Sequence, residues 1–214
     1  MKKRFPLLCL GMSAFFGLAQ LTYAQDEFHH LTFNVGGGYT AVTGGISSRL
    51  DGGGHLQVGG GYNFNHYLGI LGTFTFHQLG LTGNALSAVD VPDGYSHVYS
   101  LTVEPKITLP FPHLGGFYVL GGGGWMRRTV TFTAPTVAQT VVFDPWFGYF
   151  GPALIPANQV LGSYSQNAGA WDVGGGVNIP LPRAHFKLYV EARYYTGLTN
   201  THTTLVPITV GLRW

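Results

Sequence analysis

Apolar and polar residues alternate with a period of two along most of the chain beyond about residue 30. The clearest run lies between about 185 and 196, where the alternate apolar positions are Phe186, Leu188, Val190, Ala192 and Tyr194. Successive side chains of a β-strand point to opposite faces, so this pattern predicts strands with one apolar and one polar face.

Eight segments carry this alternation, at about 30–42, 54–64, 67–78, 96–109, 116–132, 166–179, 185–196 and 204–214. The fifth is the least regular, because the glycines at 121–124 erase its phase. Whether Arg127 or Arg128 points to the polar face is therefore left open. An even number of such strands predicts an all-β fold, an up-and-down antiparallel barrel of eight strands.

The connections between these strands are alternately short and long. The short ones are 65–66, 110–114 and 180–184, and the long ones lie near 43–53, 79–95, 133–165 and 197–203. Barrels that span an outer membrane have short periplasmic turns and longer external loops. We therefore expect both termini and the short turns at the periplasmic side.

Alternation alone does not separate a membrane barrel from a soluble barrel of lipocalin type, which buries its apolar face inside. Composition favours the membrane. Only 9% of the residues are charged, 14% are aromatic and the mean hydropathy is +0.17, whereas soluble domains carry about 25% charged residues. No apolar run of helix length follows residue 24, so the apolar residues are expected to face lipid from strands.

The first 24 residues have the plan of a secretory signal peptide. Lys2, Lys3 and Arg4 precede an apolar stretch that ends at small residues before Ala24. We expect residues 1–24 to be removed, leaving 25–214 as the barrel domain without Cys9, the single cysteine. The 11 basic and 9 acidic residues then become a formal charge of 8 − 9 = −1, which offers nothing to nucleic acid.

The final strand carries apolar residues at alternate positions up to the terminal aromatic: Ile208, Val210, Leu212 and Trp214. This pattern resembles the C-terminal assembly signal of outer-membrane barrels. The segments 118–124 and 189–195 are similar to the OmpA/OmpX-like family of outer-membrane β-barrel domains. The resemblance implies export through the periplasm to the cell outer membrane, with periplasmic chaperones and the barrel-assembly machinery as partners during biogenesis. It implies contact with outer-membrane lipid and lipopolysaccharide, but no activity.

Charged residues of both signs fall on the predicted inward faces: Glu104, Lys106, Asp172, Lys187, Glu191, Arg193 and Arg213. Side chains fill the interior of so narrow a barrel, and opposite charges buried there are expected to pair. We interpret this polar network as a plug, with a narrow ion path as the alternative.

Other candidate chemistry is weak. The glycine runs lie inside strands and lack the lysine and helix of a phosphate-binding loop. Histidines 29, 30, 66, 113 and 185 gather at the periplasmic end but lie on separate turns, so we predict no metal site and no cofactor. Lipid A-modifying enzymes exist on such barrels, yet the segment 200–204 at the outer rim is interpreted as a polar loop tip.

The longest predicted loop, 133–165, contains an unusually aromatic stretch. Its candidate contact residues are Phe143, Trp146, Phe147, Tyr149 and Phe150. We expect this stretch to pack over the barrel mouth or against lipid, with binding of an apolar ligand, lipopolysaccharide or another cell's surface as the alternative.

These observations favour a structural, non-catalytic protein, monomeric, whose loops serve adhesion or ligand contact. A narrow porin-like channel for ions or small apolar solutes is the second hypothesis. A lipid A-modifying enzyme is the third.

Overall fold

The computed structural model describes residues 30–111, 115–181 and 184–214, so the expected signal peptide, His29 and His113 lie outside the described residues. The strands are β1 Leu31–Thr43, β2 Leu50–Asn63, β3 Leu68–Leu81, β4 Asp93–Phe111, β5 Gly115–Asp144, β6 Tyr149–Pro180, β7 Lys187–Gly197 and β8 Thr203–Arg213. Each pairs antiparallel with its neighbours in sequence, and β1 pairs with β8. The predicted closed barrel of eight strands is confirmed.

The two faces of the strands also point as predicted. On β1, Leu31, Phe33 and Val35 are exposed on the outer wall, whereas Thr32 and Asn34 are buried inside. The open question on β5 is answered by its register: Arg128 is buried in the lumen and Arg127 is exposed outside.

The connections differ between the two ends of the barrel. The turn between β2 and β3 is short, and the Asn65 Oδ1 atom accepts hydrogen bonds from the N–H groups of Tyr67 and Leu68, both at 2.8 Å. At the other end, a 3₁₀ turn at Gly44–Ile46 and a helix, α1 (Gly83–Ala88), join the strands. Within the described residues, no helix is long and apolar enough to cross a membrane.

The segment predicted as the longest loop, 133–165, is instead a β-ribbon, so that prediction was wrong. β5 and β6 remain paired from Gly116 with Asn178 out to Asp144 with Tyr149. β4 accompanies β5 only as far as Thr133, and β7 accompanies β6 only from Ala170. We call residues 134–169 the ribbon; its tip stands about 35 Å beyond the last pair of β4 with β5, at about 3.3 Å per residue.

The ribbon turns at residues 145–148, where Gly148 has φ 68°. A side chain there would be strained, because this left-handed region favours glycine. The ribbon therefore closes as a hairpin through a turn that requires glycine at position 148.

Candidate functional site

A cluster of charged side chains occupies the middle of the lumen, with Arg193 at its centre. The Arg193 Nη1 atom lies 2.5 Å from Glu104 Oε1 and 3.0 Å from Asp172 Oδ2, and its Nε lies 2.7 Å from Glu191 Oε1. These residues come from β4, β6 and β7, whose alternate positions point inward. One guanidinium thus joins three carboxylates.

Polar neighbours hold the same carboxylates. Thr73 donates to Glu104 Oε2 at 2.9 Å, and Thr102 donates to its other oxygen. Gln57 donates to Glu191 Oε1 at 3.1 Å. A buried charge is costly unless it is paired and hydrogen-bonded, and these bonds meet that requirement.

A second arginine lies closer to the short-turn end. Arg213 approaches Glu191 at 3.6 Å and donates to Asn178 Oδ1 at 2.9 Å. Its guanidinium carbon lies 4.5 Å from the ring centre of Tyr118 and 4.7 Å from that of Tyr189. The Tyr118 hydroxyl donates to Glu191 Oε2 at 2.8 Å, so this layer shares Glu191 with the central cluster.

Two histidines form a further polar layer. The Thr40 hydroxyl lies 3.0 Å from His55 Nδ1 and 2.9 Å from His77 Nδ1. His55 Nε2 lies 2.8 Å from the Thr209 hydroxyl. The described residues contain no group of three or more metal-ligating side chains. The hydrogen bonds of His55 and His77 connect β2 and β3 to β1 and β8.

An apolar cluster fills the lumen towards the long-loop end: Ile46, Leu50, Leu79, Val98, Met126, Ala170, Tyr195 and Leu205. Ile46 belongs to the 3₁₀ turn and reaches this cluster from the first long connection. Sequence reasoning missed the cluster, because Ile46, Leu50 and Leu79 fell in predicted connections and the inward faces of the strands were interpreted as polar. These apolar side chains exclude water from the lumen at the long-loop end of the barrel.

The side chains of the lumen are closed to solvent. Glu104 is 0% exposed, Asp172 2%, Glu191 1% and Arg193 5%. A water-filled pore would leave these side chains accessible to a water molecule. The described lumen therefore has no aqueous path through its central cluster.

The remaining sequence-predicted lumen residues, Lys106 and Lys187, lie apart from that cluster. Both line a cavity at the short-turn end together with Arg213. The sequence did not assign a role to Tyr118, Gln57 or Asn178. Alternation along a strand shows which side chains point inward. It does not show which of them meet across the lumen.

The aromatic contact residues lie at the tip of the ribbon, away from the barrel mouth. Trp146 is 90% exposed, Phe147 77% and Phe150 70%. Phe143 and Tyr149 are exposed as well, and the Phe143 and Phe150 rings lie 5.1 Å apart across the ribbon. The expectation that this stretch packs over the barrel mouth is therefore wrong, and packing against lipid remains a prediction.

Near the tip, both faces of the ribbon present apolar side chains. One face near the tip presents Val141, Phe143 and Phe150, and the other presents Val142 and Ile155, all of them exposed. Residues 134–169 include no lysine or arginine and one acidic residue, at position 144. An exposed apolar surface of this kind marks a contact site.

The outer-rim segment 200–204 shows no catalytic arrangement. The Thr203 hydroxyl accepts from Arg128 Nη1 at 2.7 Å and lies 3.0 Å from the Thr199 hydroxyl. His202 is exposed. Thr203 is thus part of a hydrogen-bonded rim.

The residues of the proposed assembly signal face outwards from β8. Ile208, Val210, Leu212 and Trp214 are exposed on the outer wall. The Phe33 N–H donates to the Trp214 carbonyl at 2.8 Å, and the Trp214 N–H donates back at 3.0 Å. These bonds join the end of the chain to β1 and complete the ring.

A family model described as an outer membrane protein beta-barrel domain matches residues 7–213. No curated protein matches the chain at a significant level.

Solved structures share the fold at low sequence identity. Neisserial surface protein A is 13% identical, with a TM-score of 0.57 over 86% of this chain and 96% of that one. Ail of Yersinia pestis, crystallised with the heparin analogue sucrose octasulfate, is 17% identical, with a TM-score of 0.52 over 87% of this chain and all of that one.

Proposed function

The chain belongs to the family of outer-membrane β-barrel domains, and from that premise we propose that it is a non-catalytic surface protein whose ribbon contacts apolar partners outside the cell. It resides in the bacterial outer membrane, with its outer wall in lipid. The observation that carries the proposal is the exposure of Trp146, Phe147 and Phe150 at the tip. Aromatic anchors of this kind dominate binding energy at interfaces.

The composition of the ribbon supports an apolar partner. The sucrose octasulfate bound by Ail is a polyanion, and the ribbon has no lysine or arginine to attract one. Pro152 and Pro156 stand on the β6 side of the ribbon and remove N–H groups that strand addition would need. Contact through side chains on the two faces therefore fits this ribbon better than pairing along its edges.

The filled lumen supports the same proposal over transport. Paired charges and the apolar cluster occupy the space that a channel would need. A site for lipid chemistry also lacks support, since Thr203 is held in the rim bonds described above. The exposed apolar ribbon is therefore the feature to which we assign the function.

The test is adhesion of cells to hexadecane droplets, an apolar surface of known chemistry. We expect cells displaying the protein to partition to the droplets, and cells with Trp146→Ser, Phe147→Ser and Phe150→Ser together to lose most of that adhesion. The matched control is Val89→Ser with Leu198→Ser, because both residues are exposed and apolar outside the ribbon. Equal adhesion by the triple variant, at equal surface amounts, would refute the proposal.

A further inference from the structure

The hairpin of β5 and β6 is polar where it leaves the barrel and apolar at its tip. Near the barrel, the hydroxyls of Thr129 and Ser165 lie 2.9 Å apart across the two strands. Just below them, Arg127 is exposed on the outer wall and stands opposite Asn167. A charged residue on the outer face of a membrane barrel is tolerated at the level of the headgroups, not in the hydrocarbon. These residues therefore mark the outer boundary of the barrel's own membrane.

The apolar tip stands well beyond that boundary. Past Thr133 the strand β5 pairs only with β6, up to the pair of Asp144 with Tyr149. At about 3.3 Å per residue this carries the tip about 35 Å outwards, which is similar to the hydrocarbon thickness of a bilayer, about 30 Å. The tip is therefore placed to meet a surface other than its own membrane.

Apolar side chains surround the tip on every side. Phe143 and Phe150 are exposed on one face, Val142 on the other, and Trp146 and Phe147 at the turn. A groove on a protein partner would cover one face and leave the other in water. An element that is apolar all round instead suits a medium that is apolar on every side, as a membrane-spanning helix does. This distribution favours lipid over a protein groove.

The side-chain types and the charge of the ribbon indicate which lipid surface fits. Trp146 and Tyr149 are exposed near the turn, and tryptophan and tyrosine concentrate at the interface between lipid and water. Residues 134–169 contain no lysine or arginine and one acidic residue. Attraction to anionic lipid depends on clustered basic residues. A zwitterionic lipid surface therefore matches the ribbon better than an anionic one.

The backbone limits how deeply the tip can enter lipid. Within the ribbon the two strands satisfy each other up to the turn at residues 145–148. The outer edges of the ribbon have no strand partner among the described residues beyond Thr133 and Ala170. Unpaired backbone groups are not tolerated in the hydrocarbon. Insertion is therefore confined to the interface and to the side chains around the turn.

We propose that the tip of the ribbon inserts shallowly into the zwitterionic bilayer of an apposed membrane, with Trp146 and Phe147 as the inserted residues. This inference rests on the proposed function and names its partner as a phosphatidylcholine-type lipid surface. The barrel holds one membrane and the tip contacts the other, so the ribbon bridges the two.

The test uses the folded protein in nanodiscs, mixed with sedimentable phosphatidylcholine vesicles whose acyl chains carry bromine, a contact quencher of tryptophan fluorescence. Trp125→Phe, Trp171→Phe and Trp214→Phe together leave Trp146 as the single tryptophan. We expect this protein to sediment with the vesicles and its fluorescence to be quenched, more by bromine near the headgroups than by bromine near the chain ends. Phosphatidylglycerol in the vesicles should change binding by less than about threefold, because the ribbon has no cations.

The variant with Trp146→Ser, Phe147→Ser and Phe150→Ser in the original chain should bind the vesicles at least about tenfold more weakly, since three large apolar side chains are lost. The matched control is Val89→Ser with Leu198→Ser, which should bind as the original protein does. Heat-modifiable migration verifies that each variant is folded. Equal vesicle binding by the triple variant would overturn the inference.

Two further outcomes separate this inference from the proposed function. A protein that adheres to hexadecane but does not bind the vesicles would overturn the inference and leave the proposed function standing, with a protein groove as the partner. Failure in both assays would refute both. Quenching of Trp146 only by brominated lipid placed in the nanodisc itself would assign the tip to its own membrane and would also overturn the inference.

Discussion

Arg193 on β7 donates a hydrogen bond from Nη1 to Oε1 of Glu104 on β4, and the two atoms lie 2.5 Å apart. β4 and β7 are not neighbours in the ring, so this bond crosses the lumen. It ties opposite walls together at a level where no solvent enters. The barrel interior therefore behaves as a packed core whose central contacts are ionic.

Replacing Arg193 tests that interpretation. Arg193→Met leaves Glu104, Asp172 and Glu191 buried without their shared cation, which should reduce the free energy of unfolding by about 3–5 kcal/mol. Urea unfolding in lipid vesicles measures the change. Arg127→Met is the control, because Arg127 is exposed on the outer wall; equal stabilities of the two variants would contradict a structural role for the cluster.

The hydroxyl of Tyr118 provides a finer test. Tyr118→Phe removes the donor that lies 2.8 Å from Glu191 Oε2 and keeps the ring beneath Arg213. Because the lost bond is to a charged group, we expect a loss of about 1.5–3 kcal/mol in the same unfolding assay. Tyr62→Phe changes a ring that is 42% exposed on the outer wall and should cost less than about 0.5 kcal/mol. A smaller loss for Tyr118→Phe would exclude this hydroxyl from the network.

Two neighbouring glycines of β5 should respond differently to alanine. A Cβ atom at Gly124 would lie 2.7 Å from the Thr102 Cα atom, where only backbone could move, whereas at Gly123 the nearest atom is the Ala170 carbonyl oxygen at 3.3 Å. We expect Gly124→Ala to destabilise the barrel by about 1–3 kcal/mol, as overpacking does. Gly123→Ala should cost clearly less. The yield of heat-modifiable, folded protein ranks the two, and the reverse order would contradict the described register.

The ribbon should be dispensable for folding. Thr136 and Ala157 are cross-strand partners, so residues 136–157 can be replaced by an Asn-Gly turn without a change of register. Since the ribbon pairs only with itself beyond Thr133 and Ala170, the unfolding midpoint should stay unchanged. A deleted form that fails to fold, or unfolds much earlier, would show that the ribbon supports the barrel.

Much of the barrel could be predicted from the sequence, because one periodicity governs it. A residue such as Glu191 shares a face with Arg193 by spacing alone, and eight alternating segments fix the strand number. Periodicity does not give the partner across the lumen. That Arg128 points inward and Arg127 outward depends on the register of β5 with β4 and β6, which the glycines at 121–124 concealed.

The ribbon escaped prediction for a different reason. Val141, Val142 and Phe143 are consecutive apolar residues. The alternation of apolar and polar residues that marks a half-buried strand is therefore absent here. Pro135 and Pro152 also indicate a loop in the usual interpretation. The β-branched residues between 129 and 142 were a usable signal. The apolar cluster around Leu79 and Met126 was missed because residue 79 fell in a predicted connection and the phase of the fifth strand, which holds Met126, was left open.

Conductance of the folded protein in a planar lipid bilayer tests the central claim, that the lumen is filled and the function lies outside it. We predict no steady current through the original barrel, because the central cluster and the apolar cluster leave no aqueous path. Steady ohmic conductance that changes with Glu191→Gln or Arg193→Gln would contradict the claim and make the lumen a channel.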